Sequence, residues 1–252
     1  MNETNLCYTP ATSLAEMIRK KTLSPVLLVR AVLERIERLN PKLNAFCTLL
    51  ADQALDQARR AEQAVTKRER LGPLHGIPFT IKDLAVTAGV RTMFGSRALE
   101  KNVPAVDAPF VRRLKDAGGI FLGKTTTPEF GWKAIGDSPL TGITRNPWNP
   151  GMTTGGSSAG AAASAAAGLG PLHQGSDGAG SIRVPSSFCG IYGLKPTYGR
   201  VPMWPTSNTD SVSHTGPMTR TVADAALMMA VMSGPDDWDR HSIDGPVPDF
   251  VG

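Results

Sequence analysis

The chain has 252 residues, of which 41% are hydrophobic and 19% are charged, a composition that excludes an intrinsically disordered protein. No run of about 18 apolar residues occurs, which excludes a membrane-spanning helix, and the N-terminal segment lacks the apolar stretch of a secretory signal. The net charge of +5 arises mainly in residues 1–70, where 12 basic residues are interspersed with 8 acidic ones. Such mixing is typical of a solvated helix face, so we expect no direct nucleic-acid partner and no membrane partner.

The three cysteines, Cys7, Cys47 and Cys189, are odd in number and far apart. This spacing excludes a disulfide framework, and no C-x-x-C or H-x-x-x-H pair occurs that would indicate a zinc site. We therefore expect a reduced, cytoplasmic protein without a metal ion.

The front of the chain carries helix signals. Ser13 and Glu16 have the spacing of a capping box. Ser24 followed by Pro25 is a typical helix start, and the apolar positions after it recur at helical spacing until Asn40-Pro41, which is predicted to end the helix. We interpret residues 1–70 as an N-terminal helical segment that packs on the core and carries no chemistry.

Strand and helix patterns then alternate, which is typical of an α/β layered fold. The elements predicted in chain order are strand 45–50, helix 51–69, strand 77–81, helix 107–117, strand 120–122, helix 158–167 and helix 221–232. The short strand 77–81 leads directly into Lys82-Asp83.

Residues 131–200 hold 15 of the 26 glycines, which let a backbone approach a ligand closely. Residues 131–200 contain no P-loop string, and Gly168-Leu169-Gly170 is followed by His173 where a Rossmann motif needs Gly or Ala. Residues 118–125, Gly-Gly-Ile-Phe-Leu-Gly-Lys-Thr, match the P-loop spelling but contain the predicted strand 120–122, whereas a P-loop leads from a strand into a helix. Gly156-Ser157-Ser158-Ala159-Gly160 does match G-x-S-x-G. An α/β-hydrolase esterase with Ser158 as nucleophile and a later histidine as base is therefore one hypothesis.

A longer set of linked motifs runs from about residue 71 to residue 232. Lys82 lies in Gly-Ile-Pro-Phe-Thr-Ile-Lys-Asp, Ser157 in Gly-Gly-Ser-Ser, and Ser181, 24 residues later, in Gly-Ser-Asp-Gly-Ala-Gly-Ser-Ile-Arg. Asn-Pro-Trp at 146–148, Phe-Cys-Gly at 188–190 and Gly-Leu-Lys-Pro-Thr at 193–197 follow the same order. Together they resemble the amidase signature family, which includes bacterial amidases, fatty-acid amide hydrolase, malonamidase and the A subunit of glutamyl-tRNA amidotransferase.

The resemblance implies a Ser-Ser-Lys triad. Lys82 matches the family's catalytic lysine, Ser157 the bridging serine in a cis peptide, and Ser181 the nucleophile. Independently of the resemblance, a serine hydroxyl needs a base, and a lysine can be that base when burial keeps it neutral. Asp83 would not counteract this, because adjacent residues of a strand point to opposite sides.

The resemblance also implies the supporting residues. Gly178, Ala179 and Gly180 match the loop whose backbone N–H groups form the oxyanion hole, and Asp177 and Arg183 match polar residues that steady it. Ala179 departs from the glycine that many members have at its position. No cofactor is implied.

The implied fold is α/β, a mixed β-sheet between layers of helices, with residues 71–252 as the N-terminal part of the catalytic domain. Family members are considerably longer, so we expect a sheet that is incomplete at the C-terminus. The expected activity is hydrolysis of a small-molecule amide through an acyl-serine. Two alternatives remain: an amidotransferase A subunit that takes ammonia from glutamine, and an inactive fragment. The expected partner is a second copy or a complementing C-terminal polypeptide.

Overall fold

A computed structural model describes residues 3–207 and 210–252. Its centre is a six-stranded sheet in the order β1-β3-β2-β6-β8-β7, and β4 and β5 form a separate ribbon. The strands are β1 (Phe46–Leu49), β2 (Pro78–Lys82), β3 (Ile120–Thr125), β4 (Asp137–Ser138), β5 (Gly142–Ile143), β6 (Leu172–Asp177), β7 (Tyr192–Gly193) and β8 (His214–Thr219).

Helices flank this sheet. They are α1 (Glu3–Tyr8), α2 (Ala11–Arg19), α3 (Pro25–Leu43), α4 (Ala51–Lys67), α5 (Pro109–Asp116), α6 (Ala159–Ala167), α7 (Arg183–Cys189) and α8 (Val222–Met232). Helix α6 contacts β2, β3, β6 and β8, whereas α4 packs on β3 and α8 packs on β6, β7 and β8. The architecture is thus the α/β layered fold with a mixed sheet that the sequence predicts. No helix among the described residues is long and apolar enough to cross a membrane.

The centre of the sheet is parallel and its outer strands are antiparallel. β2 pairs in parallel with β3 on one side and with β6 on the other, while β1, β7 and β8 join by antiparallel pairing. Lys82 is the last residue of β2 and pairs with Thr125 of β3. It therefore lies at the carboxyl ends of the parallel strands, where open α/β sheets form their sites.

Helix α6 approaches the sheet closely because its side chains are small. All of its residues except Ala166 are buried. A Cβ at Gly160 would lie 2.2 Å from the carbonyl oxygen of Ala45 and 2.4 Å from the Thr126 nitrogen. Only glycine fits at this position, and the close approach holds the N-terminus of α6 against the end of β3.

Two predicted helix boundaries are wrong. Helix α2 begins at Ala11 after Pro10, so Ser13 lies inside the helix and no capping box forms. Helix α3 begins as predicted, with Ser24 Oγ accepting the Leu27 N–H at 3.2 Å, but it runs past Pro41 to Leu43. Pro41 is tolerated because it lies in the last turn of α3. The carbonyl that loses its N–H partner is that of Glu37, four residues earlier, and Glu37 is exposed so that water can bind it.

Candidate active site

Lys82 lies at the end of β2 with its side chain fully buried. Its Nζ donates to Ser157 Oγ at 2.7 Å and to Ser176 Oγ at 3.0 Å. Ser176 lies on β6 and was not singled out from the sequence, although it stands in the same Gly-Ser-Asp motif as Ser181. The structure thus brings the predicted lysine and the predicted bridging serine into direct contact.

Burial lowers the pKa of Lys82 to about 7, against the opposing effect of the Asp177 carboxylate, which raises it. The cause is desolvation, which disfavours the charged ammonium. The Asp83 carboxylate does not offset this lowering of the Lys82 pKa, because it faces other groups: it lies 3.7 Å from Lys124 Nζ, and its Oδ2 accepts the Met93 N–H. Near neutral pH, Lys82 can therefore exist as a neutral amine.

Ser157 follows a cis peptide bond from Gly156 and is buried just before α6. The residue at the N-cap of α6 is Ser158, so Ser157 is not used as a helix cap. Its hydroxyl is left to contact Lys82 and to line the cleft described below.

Ser181 lies between β6 and α7 and lines the same cleft as Ser157. Its carbonyl accepts the Ser158 N–H at 3.2 Å, which ties the two serine-bearing loops together. The N-cap of α7 is Ile182, so Ser181 does not cap that helix. No hydrogen bond joins the Ser157 and Ser181 hydroxyls within the described residues.

The loop before Ser181 presents backbone N–H groups to the cleft. Gly178 and Ala179 line it, and in the described part of the chain their N–H groups donate to no protein acceptor. The Gly180 N–H instead donates to Asp177 Oδ1 at 2.6 Å. Among the described residues, the N–H groups of this loop that have no protein acceptor are those of Gly178, Ala179 and Ser181, whereas Gly180 supports the loop.

Asp177 is the anchor of this loop. Its carboxylate accepts the N–H groups of Gly180, Ile182 and Arg183 and two bonds of 3.0 Å from the Arg183 guanidinium. Burial raises the pKa of Asp177, but these donors outweigh it and lower the pKa to about 2. The carboxylate is therefore ionised throughout the physiological range and fixes the turn that carries Ser181.

The site opens into a cleft of about 660 Å³ with a largely apolar wall. Among the aromatic side chains that line it are Phe94, Phe110, Phe130, Trp132 and Trp204. Lys133 is the one charged side chain that the described residues contribute to the wall. Trp148, of the Asn-Pro-Trp motif, lies outside it and is 74% exposed.

The esterase hypothesis based on Ser158 is wrong. Ser158 is fully buried, its hydroxyl donates to the Ser176 carbonyl at 3.1 Å, and no histidine in the described part bonds to it. His173 is held between Thr80 Oγ1 and the Gly170 carbonyl, and burial lowers its pKa to about 3. Within the described ranges, no three His, Cys, Asp or Glu side chains are grouped so as to hold a metal ion.

Comparison with known proteins places this geometry in context. The family model described as Amidase matches residues 27–251. The chain is 45% identical over 252 residues to an acylamidase of Rhodococcus erythropolis, covering 100% of this chain and 53% of that protein. It is 46% identical over 238 residues to the A subunit of the glutamyl-tRNA(Gln) amidotransferase of Methylococcus capsulatus, covering 94% and 49%.

Solved structures agree in fold. A bacterial aryl acylamidase of the amidase signature family superposes with a TM-score of 0.91 at 35% identity, covering 97% of this chain and 51% of that one. The peptide amidase of Stenotrophomonas maltophilia superposes with a TM-score of 0.88 at 35% identity, covering 96% and 52%. The chain thus spans about half the length of the relatives it matches.

Proposed function

The chain belongs to the amidase signature family, and on that premise we propose that it hydrolyses a carboxamide to a carboxylate and ammonia or an amine, using Lys82, Ser157 and Ser181. The observation that carries the proposal is the 2.7 Å bond between the buried Lys82 Nζ and Ser157 Oγ, beside the glycine-rich loop of Ser181. The reaction requires no metal or organic cofactor. A cytoplasmic location stays a prediction.

In the acylation step, neutral Lys82 accepts the hydroxyl proton of Ser157 as Ser157 accepts that of Ser181. The Ser181 Oγ forms a bond to the amide carbon, and the carbonyl π electrons move to its oxygen. That oxyanion accepts the free N–H groups of Gly178, Ala179 and Ser181. One such donor is worth about 3 kcal/mol of barrier.

The intermediate collapses when the carbon–nitrogen bond breaks. The leaving nitrogen takes a proton from Ser157, which regains one from Lys82, so the relay returns to its starting state and an acyl-Ser181 ester remains. Water then attacks the ester, giving one proton through the same relay to Ser181 Oγ as the carboxylic acid leaves. Lys82 and Ser157 serve as general base and then general acid in both halves.

The cleft indicates what kind of amide is accepted. Its aromatic wall suits an apolar, preferably aromatic, acyl or amine group, and its polar groups converge at Ser157 and Ser181. Two of the relatives are called acylamidase and aryl acylamidase, which fits this substrate class.

The amidotransferase A subunit is the second candidate, and the 46% identity to the Methylococcus protein favours it. Such a protein would take ammonia from glutamine and act with partner subunits and tRNA. Glutamine carries both an ammonium and a carboxylate group, which need charged partners in a desolvated site. With Lys133 as the one charged lining residue described, we favour the apolar amide.

Ammonia release tests the choice of substrate. Purified protein is incubated with benzamide, acetamide or glutamine, and Ser181→Ala is compared with Ser187→Ala, an exposed serine on α7. We expect release fastest from benzamide, lost in Ser181→Ala and retained in Ser187→Ala. Release fastest from glutamine would favour the amidotransferase, and release that persists in Ser181→Ala would contradict the proposed nucleophile.

A further inference from the structure

The sheet opens beside Lys82. Strands β2 and β6 pair through Phe79–Leu172 and Thr80–His173, and their pairing stops there. β6 nevertheless stays paired with β8 as far as Asp177. β2 therefore separates from β6 just before Lys82, whose Nζ contacts Ser157. On the side of β2 that faces β6, the Lys82 N–H has no strand carbonyl to which it can donate.

The side chain of Gln174 fills that gap. Its Oε1 accepts the Lys82 N–H at 3.0 Å, and its Nε2 donates to Thr215 Oγ1 at 2.6 Å and to the Gly175 carbonyl at 2.8 Å. The side chain is 1% exposed. A single amide thus joins the end of β2 to β6 and β8.

The orientation of this amide is fixed by chemistry. A backbone N–H can only donate and a carbonyl can only accept, so Oε1 must face Lys82 and Nε2 must face Gly175. Both Nε2 donors are used within the protein. Although Gln174 borders the cleft, its donors are therefore not available to a substrate.

We propose that Gln174 is a positioning residue for Lys82: its amide replaces the missing strand hydrogen bond and holds the lysine backbone where Nζ meets Ser157 Oγ. The inference rests on the proposed function in one respect only, that Lys82 is the base. Nothing in the motifs that carry the family resemblance assigns a role to this side chain.

A role in positioning has a specific consequence. Catalysis depends strongly on the placement of reacting groups, so a loosened strand end slows proton transfer from Ser157. It also admits water to Lys82, which removes part of the desolvation that lowers its pKa. Substrate affinity should change little, because Gln174 does not bind the substrate.

The test compares Gln174→Met, Thr215→Val and the double variant. Gln57→Met is the matched control, because Gln57 Oε1 likewise accepts a strand N–H, that of Phe121, at 3.0 Å on the edge of β3 that faces away from β2. Two readouts are used. One is the rate at which a fluorophosphonate labels Ser181, and the other is the Lys82 titration followed by NMR of carbon-13-labelled lysine, assigned with Lys82→Met and independent of activity.

We expect Gln174→Met to slow labelling about tenfold, the order expected for one buried hydrogen bond, with the pKa of Lys82 raised from about 7. Thr215→Val should change both readouts in the same direction but by less. The double variant should be no slower in labelling than Gln174→Met, because both substitutions break the same hydrogen-bonded link. Gln57→Met should lower the melting temperature without moving either readout.

A folded Gln174→Met protein with an unchanged Lys82 titration would overturn the inference, as would equal effects of Gln57→Met. Failure of the proposed function looks different: the wild-type protein would not be labelled at Ser181, or Lys82→Met would be labelled as fast. In that case the titration still decides whether Gln174 positions Lys82.

Discussion

At the scale of single residues, the property that matters most is the burial of Lys82. The sequence predicted Lys82 from its motif and from the requirement that a lysine acting as a base be buried and neutral. It could not predict the second contact, to Ser176, because that depends on how β6 lies beside β2. Nor could it predict that the Gly180 N–H is taken by Asp177, since a loop's hydrogen bonds depend on its fold.

The burial of Lys82 makes folding less favourable in a way that depends on pH. Its pKa is about 7 in the folded protein and 10.5 is the ordinary value for a lysine, so the unfolded chain binds more protons between these values. The free energy of unfolding therefore rises with pH in that window, and the unfavourable contribution of the buried lysine is at its largest below pH 7. We expect Lys82→Met to stabilise the protein by up to about 5 kcal/mol at about pH 6.5, with the gain shrinking toward about pH 10.

Urea unfolding of wild-type protein and Lys82→Met at several pH values measures this gain. Lys42→Met, on an exposed face of α3, is the control and should show no such trend. A gain for Lys82→Met that stays constant from pH 6 to pH 10 would mean that Lys82 titrates at its ordinary pKa.

Asp177 acts on the site through both its charge and its hydrogen bonds. Asp177→Asn removes the charge that raises the pKa of Lys82, so that pKa should fall. Because the proposed mechanism uses the neutral amine of Lys82, the acidic limb of the rate profile should move to lower pH. The rate above the limb should drop about tenfold or more, because the loop loses its ionised anchor.

The measurement is the pH dependence of kcat/KM, which reports groups of the free enzyme. Asp56→Asn, which alters an exposed ion pair with Arg59, is the control and should leave the limb in place. A limb that moves to higher pH in Asp177→Asn would show that Asp177 does not act on Lys82 by its charge.

At the scale of elements, helices were easier to predict than strands. Helix α6 stands within one residue of the predicted 158–167, because an alanine-rich run between glycines has few alternatives. Strand β6 was missed, since its buried residues include His173 and Gln174 and no apolar alternation marks it. Those polar side chains are buried because partners distant in sequence, Thr80 and Thr215, bond to them.

The close packing of α6 leads to a stability prediction. Gly160→Ala would place a Cβ 2.2 Å from the Ala45 carbonyl oxygen, which is backbone and cannot rotate away. We expect a loss of about 3 kcal/mol in the free energy of unfolding. Gly151→Ala is the control, because its Cβ would meet only the Asn149 side chain, and it should change stability by less than about 0.5 kcal/mol.

Chemical denaturation of both variants provides the comparison. Equal stability of Gly160→Ala and wild-type protein would show that α6 can shift away from β3 without cost, and the account of its close approach would then be incorrect.

At the scale of the whole molecule, the linked motifs were enough to predict the family and the α/β architecture. The division into residues 1–70 and 71–252 stays a prediction, and so does the partner. One observation bears on the partner: Trp148 and Phe188 are 74% and 51% exposed. They lie on segments joined by the bond from Trp148 Nε1 to the Cys189 carbonyl.

Exposed aromatic side chains grouped in this way favour association. We expect the purified 252-residue chain to self-associate as its concentration rises, or to bind a complementing polypeptide when one is supplied. Light scattering should show a smaller mass for Trp148→Ser/Phe188→Ser than for wild-type protein. Val103→Ser, which alters an exposed aliphatic residue elsewhere, should leave the mass unchanged. Monomeric wild-type protein at every concentration, with no binding, would contradict the prediction.

The central claim is that Ser181 becomes acylated with help from Ser157 and Lys82, and the most direct test is to locate the covalent adduct. The protein is treated with a fluorophosphonate, digested and mapped by mass spectrometry, alongside Ser181→Ala, Ser157→Ala and Lys82→Met. The account predicts an adduct on Ser181 that is absent in Ser181→Ala and forms much more slowly in the other two variants. An adduct on Ser158, or on Ser181 at an undiminished rate in Lys82→Met, would contradict it.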